Sequence, residues 1–151
     1  GGLIAKSGHP NEDILNKFLS NPYYKKKFPK TLDVKDLNPQ NLNTLNLEDG
    51  CATLSMLTVR TICLALDSFK NPPKLILLSG GGRKNKYIFD NIKKQFLNSV
   101  VLVDDFNFNG DFIESQAFAY LAIRSYFKKF ITFPSTTGVN KPCLGGKVFK
   151  S

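Results

Sequence analysis

Three consecutive glycines, Gly80-Gly81-Gly82, followed by Arg83, Lys84 and Asn85, are the residues of this chain best suited to chemistry. Glycine has no Cβ, so such a run can take positive φ and let a ligand lie directly on bare main chain. The amides at the start of a following helix add a preference for an anionic or polar group. A nucleotide meets both conditions. A tight strand-to-helix turn that binds nothing fits the residues equally well, because short glycine motifs match by chance. Two further carboxylate groupings stand out. Asp104-Asp105 follows an apolar run, and carboxylates at the carboxyl end of a strand commonly face a ligand crevice. Asp111 and Glu114 have the spacing of a capping box, in which the first residue caps a helix and the second reaches back to it. His9 is the only histidine, so a Ser-His-Asp triad or a His-rich metal site would have to use it; beside Pro10 at a helix start, it reads as structural.

The elements that must hold these residues follow from periodicity. Leu75 to Leu78 is apolar with no helical period and predicts a buried strand, which the glycines end. Ile88, Ile92 and Phe96, at four-residue spacing, predict a helix from Asn85 to Leu97. Val100 to Val103 is a second buried strand, Phe106 to Gly110 a loop, and a helix runs from Ile113 to about Phe130 with Ala117, Tyr120, Leu121 and Arg124 along it. Upstream, residues 1 to 9 read as a loop or frayed helix end. Pro10 fits a first helical turn, with Glu12 and Asp13 at the positive end of the dipole and Ile14, Leu15, Phe18 and Leu19 on one face. Tyr23 and Tyr24 anchor a loop before Lys25 to Lys27, and Phe28 to Thr44 is a long surface connection. The longest helix spans about Leu47 to Phe69, and Asn71-Pro72-Pro73 breaks it. The tail has turns at Pro134 to Gly138 and at Gly145-Gly146, leading to a last short strand at Val148-Phe149. Helices alternating with buried strands argue an α/β fold, yet two strands do not make an independent sheet. The chain reads as part of something larger.

Composition bounds the rest. The 151 residues make one domain's worth of chain, and 42% apolar content with thirteen Phe supports a real core. No run approaches the ~18 uninterrupted apolar residues of a membrane span, and the first residues lack a signal-peptide pattern. The chain opens on Gly1 rather than Met, so an N-terminus lost to processing or trimming is expected. Cys51, Cys63 and Cys143 form no CxxC pair; Cys51 and Cys63, about 18 Å apart on one helix, are too distant for a disulfide. Reduced, buried thiols of a cytoplasmic protein are the expectation. The net charge of +9 invites a nucleic-acid reading, but the lysines are dispersed over loops and polar helix faces, so a solvated surface is expected instead.

Four motifs in order resemble one family. Leu15 to Leu19, then Asn21-Pro22-Tyr23-Tyr24, Phe28-Pro29-Lys30-Thr31 and Leu37-Asn38 resemble a "helix, PYF, PKS, FN" segment. Ser79-Gly80-Gly81-Gly82 with Asn85 resembles a "GGG-x-x-N" adenosine motif. Gly110-Asp111, Glu114 and Ala117 to Arg124 resemble "GD-x-x-EA-x-AFA-x-LA-x-R", and Pro134, Thr137-Gly138 and Leu144-Gly145 resemble "P-x-x-TGA…LG". Together they are similar to the C-terminal half of the anhydro-N-acetylmuramic acid kinases, wall-recycling enzymes of the actin-like ATPase and sugar-kinase fold. Gln116 and Val139 depart from the pattern, and residues 32 to 36 lack the "TGRE" of some members, which leaves a substrate role for that loop open. The family's "GTS-x-DG" phosphate loop, catalytic Asp and "D-x-GPGN" motif, all expected upstream, are not in this sequence.

The resemblance implies a partial C-terminal lobe of an actin-like, ribonuclease H-like fold, with few strands flanked by long helices. Residues 1–151 would be one lobe, 1–45 a helix and long loop, and 46–151 an adenosine-binding α/β core. It implies that Gly80, Gly81, Gly82 and Asn85 form the adenosine floor for ATP and that Glu114 lies nearest the sugar. Mg²⁺ and the catalytic carboxylate would come from the N-terminal half of the kinase, no catalytic residue lying in this chain. The reaction implied is transfer of phosphate to the 6-oxygen of an anhydro-amino-sugar while water opens its anhydro ring, with the chain inactive alone. A homo-oligomer is left open. The competing reading is a decayed, non-catalytic remnant serving as a basic interaction or RNA-binding module.

Overall fold

The computed structural model describes residues 1–33, 42–71, 73–147 and 149, and of Asn98 only the backbone. The central element is α3, Leu47–Asp67. Its start is set by Asn46, whose Oδ1 accepts from the Asp49 amide at 2.7 Å, and by Glu48 and Asp49 in the first turn, where the helix dipole favours negative charge. Around it pack α1 (Leu3–Ser7), α2 (Glu12–Leu19) and α4 (Lys86–Phe96). Buried Thr53 ties two of them together: its hydroxyl donates to Asp49 O at 2.7 Å and accepts from the Asn11 amide at 2.9 Å, while Asn11 caps α2 through the Ile14 amide. Arg60 on α3 adds an ion pair to Glu12 at 2.7 Å.

Two short strands, β1 (Ile76–Leu78) and β2 (Val100–Leu102), run parallel with Ile76 opposite Val100, Leu77 opposite Val101 and Leu78 opposite Leu102. Helix α4 is the crossover between them, as a parallel pair requires. Ile76, Ile92, Val100 and Val59 form the buried cluster that joins sheet, α4 and α3, with Met56, Ile62, Leu66, Ile88 and Phe89 packed around it. Only that face of the sheet is covered. Leu77, whose side chain must point the other way, is 47% exposed, and of the six strand residues only Ile76 and Val100 are buried, so the strands are less buried than expected.

Other expectations shift by local chemistry. Residues 3–7 form a helix, and Asn11 rather than Pro10 sets the start of α2. Within the long connection, Leu42–Thr44 is a 3₁₀ turn, while residues 34–41 lie outside the described residues. The last long helix, α5, is Ile113–Tyr126; it stops short of Phe130 because Lys128 takes φ 51°. The turn at Pro134 is a short helix, α6 (Pro134–Thr137). Of the expected last strand, Val148 is outside the described residues and Phe149 is in no regular structure; the tail is held instead by an isolated antiparallel bridge from Cys143 to Thr132. The three cysteines are free and half-buried rather than buried, with burial pushing the Cys63 thiol up. By length and composition α3 could cross a membrane, but it carries Glu48, Asp49, Arg60 and Asp67 and is the helix on which α1, α2 and α4 pack.

Candidate functional site

The glycine turn forms at the carboxyl end of β1. Gly80 takes φ 74°, ψ 178°, a conformation open to glycine and strained for other residues, and Gly81–Lys84 form one 3₁₀ turn before α4. A Cβ placed on Gly80, Gly81 or Gly82 would meet nothing within 4 Å, so the main chain there is bare and faces open space. The expected strand, glycine turn and helix are present, with the 3₁₀ turn interposed between glycines and helix.

What fixes the turn is Arg83, a residue the sequence reading left without a role. Its side chain is 6% exposed. Its Nε donates to Asp104 Oδ2 at 2.7 Å and its Nη2 to Asp104 Oδ1 at 3.0 Å, a two-pronged pair, while its Nη1 donates to Asp111 Oδ1 at 2.8 Å and to Gly80 O at 3.0 Å. Lys84 Nζ reaches the other oxygen of Asp111 at 2.7 Å. The Gly80 amide donates to Gly110 O at 3.0 Å, and the Gly110 amide donates to Asp104 Oδ1 at 3.2 Å. Gly110 is buried, and a Cβ there would sit 2.3 Å from Arg83 Nε. Guanidinium, two carboxylates and two glycines thus tie the ends of β1 and β2 into one unit. A basic residue in the turn after one parallel strand and paired carboxylates after its neighbour were the available signal for this pairing.

Two sequence expectations change here. Asp104 faces Arg83 and the Gly110 amide, so its carboxylate is committed within the protein and not to a crevice. Asp111 does not cap α5: Phe112 is the N-cap, without a side-chain cap bond, and the capping box is absent. The pair to Arg83 and Lys84 wins because a charge-assisted bond to a guanidinium is stronger than a cap to a neutral amide. Glu114, released from that box, is exposed, and its side chain has no hydrogen bond or ion pair among the described residues. It stands three residues beyond Asp111, within roughly 11 Å of chain from the anchored end of the turn.

The hydrogen bond from Arg83, supported by the Gly110 amide, holds the Asp104 carboxyl down at about 2; those from Arg83 and Lys84 hold Asp111 at about 2 as well. The same contacts, Asp104 foremost, push the Arg83 guanidinium up. Free Asp titrates near ~3.9, so both carboxylates are lowered by folding, and their stabilisation is complete above about pH 4 and is lost as pH falls through about 2. Carboxyl NMR titration should therefore find both midpoints near 2, and in Arg83→Gln both should rise toward the ordinary Asp range. Midpoints unmoved by that substitution would rule out Arg83 as the cause.

Asn85 has a definite structural duty. Its Oδ1 accepts from the Ile88 amide at 3.2 Å, capping α4. Asn85→Ala is expected to cost about 1 kcal/mol, and Asn85→Asp, which keeps the acceptor, nearly nothing. Matching urea midpoints for wild type and Asn85→Ala would deny the cap. A drop in nucleotide affinity in Asn85→Asp at unchanged stability would reveal a second duty, through the side-chain amide.

Among the described residues no cluster of three His, Cys, Asp or Glu could hold a metal ion. At the Tyr23-Tyr24 pair the rings meet edge to face at 5.4 Å, and the loop is tied by Lys30, whose Nζ donates to the main-chain carbonyls of Tyr24 at 2.9 Å and Tyr23 at 3.3 Å.

Comparison with known proteins adds an independent finding. The family model described as "Anhydro-N-acetylmuramic acid kinase" matches residues 1–151. Curated proteins bearing that same name are similar over nearly the whole chain: one from Pelagibacter ubique, 39% identical over 99% of this chain, one from Methylobacterium nodulans, 38% identical over 96%, and one from Zymomonas mobilis, 37% identical over 97%. The matched part is 42%, 39% and 40% of those proteins respectively, so the chain spans about two fifths of the length of the curated relatives it matches.

Proposed function

Since the chain belongs to the anhydro-N-acetylmuramic acid kinase family along residues 1–151, we propose that it is the nucleotide-floor part of such a kinase, a lobe of the actin-like, ribonuclease H-like kind. One observation carries this reading. Gly80, Gly81 and Gly82 present bare main chain to open space and are locked in place by the Arg83 network, so the surface a nucleoside would lie on exists before any ligand arrives. Pre-formed backbone of this kind spares a ligand the cost of ordering the turn.

In this reading the Gly80–Gly82 main chain supports the adenosine of ATP. Asn85 holds the start of α4 beneath it and offers its side-chain amide, and Glu114, exposed and unpaired among the described residues, accepts from hydroxyls of the anhydro-amino-sugar. Asp104, Asp111 and Arg83 fix the turn and take no part in proton transfer. ATP with Mg²⁺ supplies the transferred phosphoryl group and the neutralising charge. The residues described here suit the nucleoside, not the metal, whose ligands and catalytic base belong to the three fifths of a full-length family chain that this sequence does not include. The chain alone would bind nucleotide without turning over, and its place is the cytoplasm, where wall fragments are recycled. Titration of ATP onto this chain and onto Gly81→Asp is the test, with binding expected to the first and none to the second.

A second reading has one observation in its favour. A cavity of about 380 Å³ between residues 23–30 and α3 is lined by Tyr23, Tyr24, Lys25, Lys26, Lys27 and Lys30 together with apolar and hydroxyl residues, and, among the described residues, by no carboxylate. Aromatic faces beside lysines suit a single-stranded nucleic acid. Salt-sensitive oligonucleotide binding with no ATP binding would select that reading over the first.

A further inference from the structure

Among the described residues, the helix that carries Glu114 is the one helix of eight or more residues with no buried side chain. None of the fourteen residues of α5 is buried. Yet Ile113, Ala117, Phe118, Tyr120, Leu121, Ile123 and Tyr126, set at about 100° per residue, put apolar side chains on every side of it. A helix apolar all round belongs in an interior, because a surface helix keeps one polar face. Here Phe118 is 64% and Tyr126 67% exposed, and the flanking Phe112 and Phe127 are also more than half exposed. At fourteen residues, about 21 Å, the helix is too short to span a bilayer.

We propose that α5 is the docking helix for the part of a full-length family chain that this sequence does not include, which covers it on more than one side. The inference rests on the family reading above, and the length of that missing part argues for the occupant: it amounts to about three fifths of the relatives this chain matches, ample to bury one helix. The position of α5 argues for it too. Ile113 lies two residues after Asp111, which Arg83 and Lys84 hold against the glycine turn, so a segment seated on α5 stands beside that turn with Glu114 at the joint. Docking would thereby close the site from the side that the glycines leave open.

The test is hydrogen exchange of residues 113–126 in two proteins: this chain alone, and a chimera in which it replaces the matching portion of the Pelagibacter ubique relative. Alone, a helix of this length with little packed against it should exchange quickly. In the chimera its amides should slow at least tenfold, and Phe118→Asp should restore fast exchange while the circular dichroism of the isolated chain stays unchanged. Equal exchange in the two proteins would overturn the proposal. So would slow exchange in the isolated chain at doubled mass by light scattering, which would assign α5 to a second copy. Failure of ATP to bind either protein while α5 remains protected in the chimera would strike the nucleotide reading alone.

Discussion

Gly81→Asp should abolish ATP binding without unfolding the chain. The structure separates the two effects cleanly at this position. A Cβ on Gly81 meets nothing within 4 Å, and unlike Gly80 at φ 74° its backbone is not in the left-handed region, so the side chain is accommodated without strain. What it changes is the approach: a carboxylate now stands where a ligand must touch main chain. At about 5 Å and an effective dielectric near 20, one carboxylate and one phosphate charge repel by about 3 kcal/mol, roughly a hundredfold in affinity before the lost contact is counted. Salt screens part of this, so calorimetric titration at two ionic strengths is the appropriate measurement. Affinity unchanged at both, with an unchanged far-UV spectrum, would mean the nucleoside lies elsewhere. The same substitution removes one unit from a net charge of +9 and should weaken charge-driven oligonucleotide binding only slightly, which separates the two functional readings in one variant.

Why some of this was legible in the sequence and some was not comes down to range. Helices α2, α3 and α4 are each legible from apolar residues recurring on one side, a pattern contained within the helix itself, while the caps Asn11, Asn46 and Asn85 are set by the folded chain. The glycine turn was legible for the same reason, being a short strand, a run without Cβ atoms and a helix in unbroken order. The reading failed where a local option was overruled by a distant partner. Asp111 and Glu114 satisfy the spacing of a capping box, but Arg83, twenty-eight residues earlier than Asp111, offers that carboxylate a better bond. The two lie far apart in the sequence, and the parallel pairing of β1 with β2 brings them together. The apolar runs of β1 and α5 were misleading in another way. β1 was read as a buried strand, and the residues of α5 put apolar side chains all round that helix, but Leu77 and Phe118 face water here. Both apolar faces stay open in a chain that spans about two fifths of the length of the curated relatives it matches.

The Arg83 lock makes a prediction that turns on coupling rather than on a single loss. In Gly110→Ala the new methyl carbon would lie 2.3 Å from Arg83 Nε, 2.5 Å from its Cζ and 2.8 Å from Asp104 Oδ2. An arginine tip in solvent would swing aside at little cost. This one is 6% exposed and held by Asp104, Asp111 and Gly80 O, so either the guanidinium leaves its partners or the 110 loop leaves Gly80. Forcing a methyl into a filled site costs about 1–3 kcal/mol, and at about 2–4 °C per kcal/mol for a chain of this size the melting temperature should fall by several degrees. Arg83→Ala should also destabilise, by stranding two carboxylates beside Gly80 O. The decisive measurement is the double variant. With the guanidinium gone, the methyl meets only a carboxylate that can rotate away, so Gly110→Ala should cost less than about 0.5 kcal/mol in that background, and the two effects should be strongly non-additive. The Gly80 amide, which donates to Gly110 O, should report the same coupling in its hydrogen exchange. Additive costs in the double variant would show that Gly110 is small for a reason unconnected with Arg83, and the glycine turn would then owe its shape to the local chain alone.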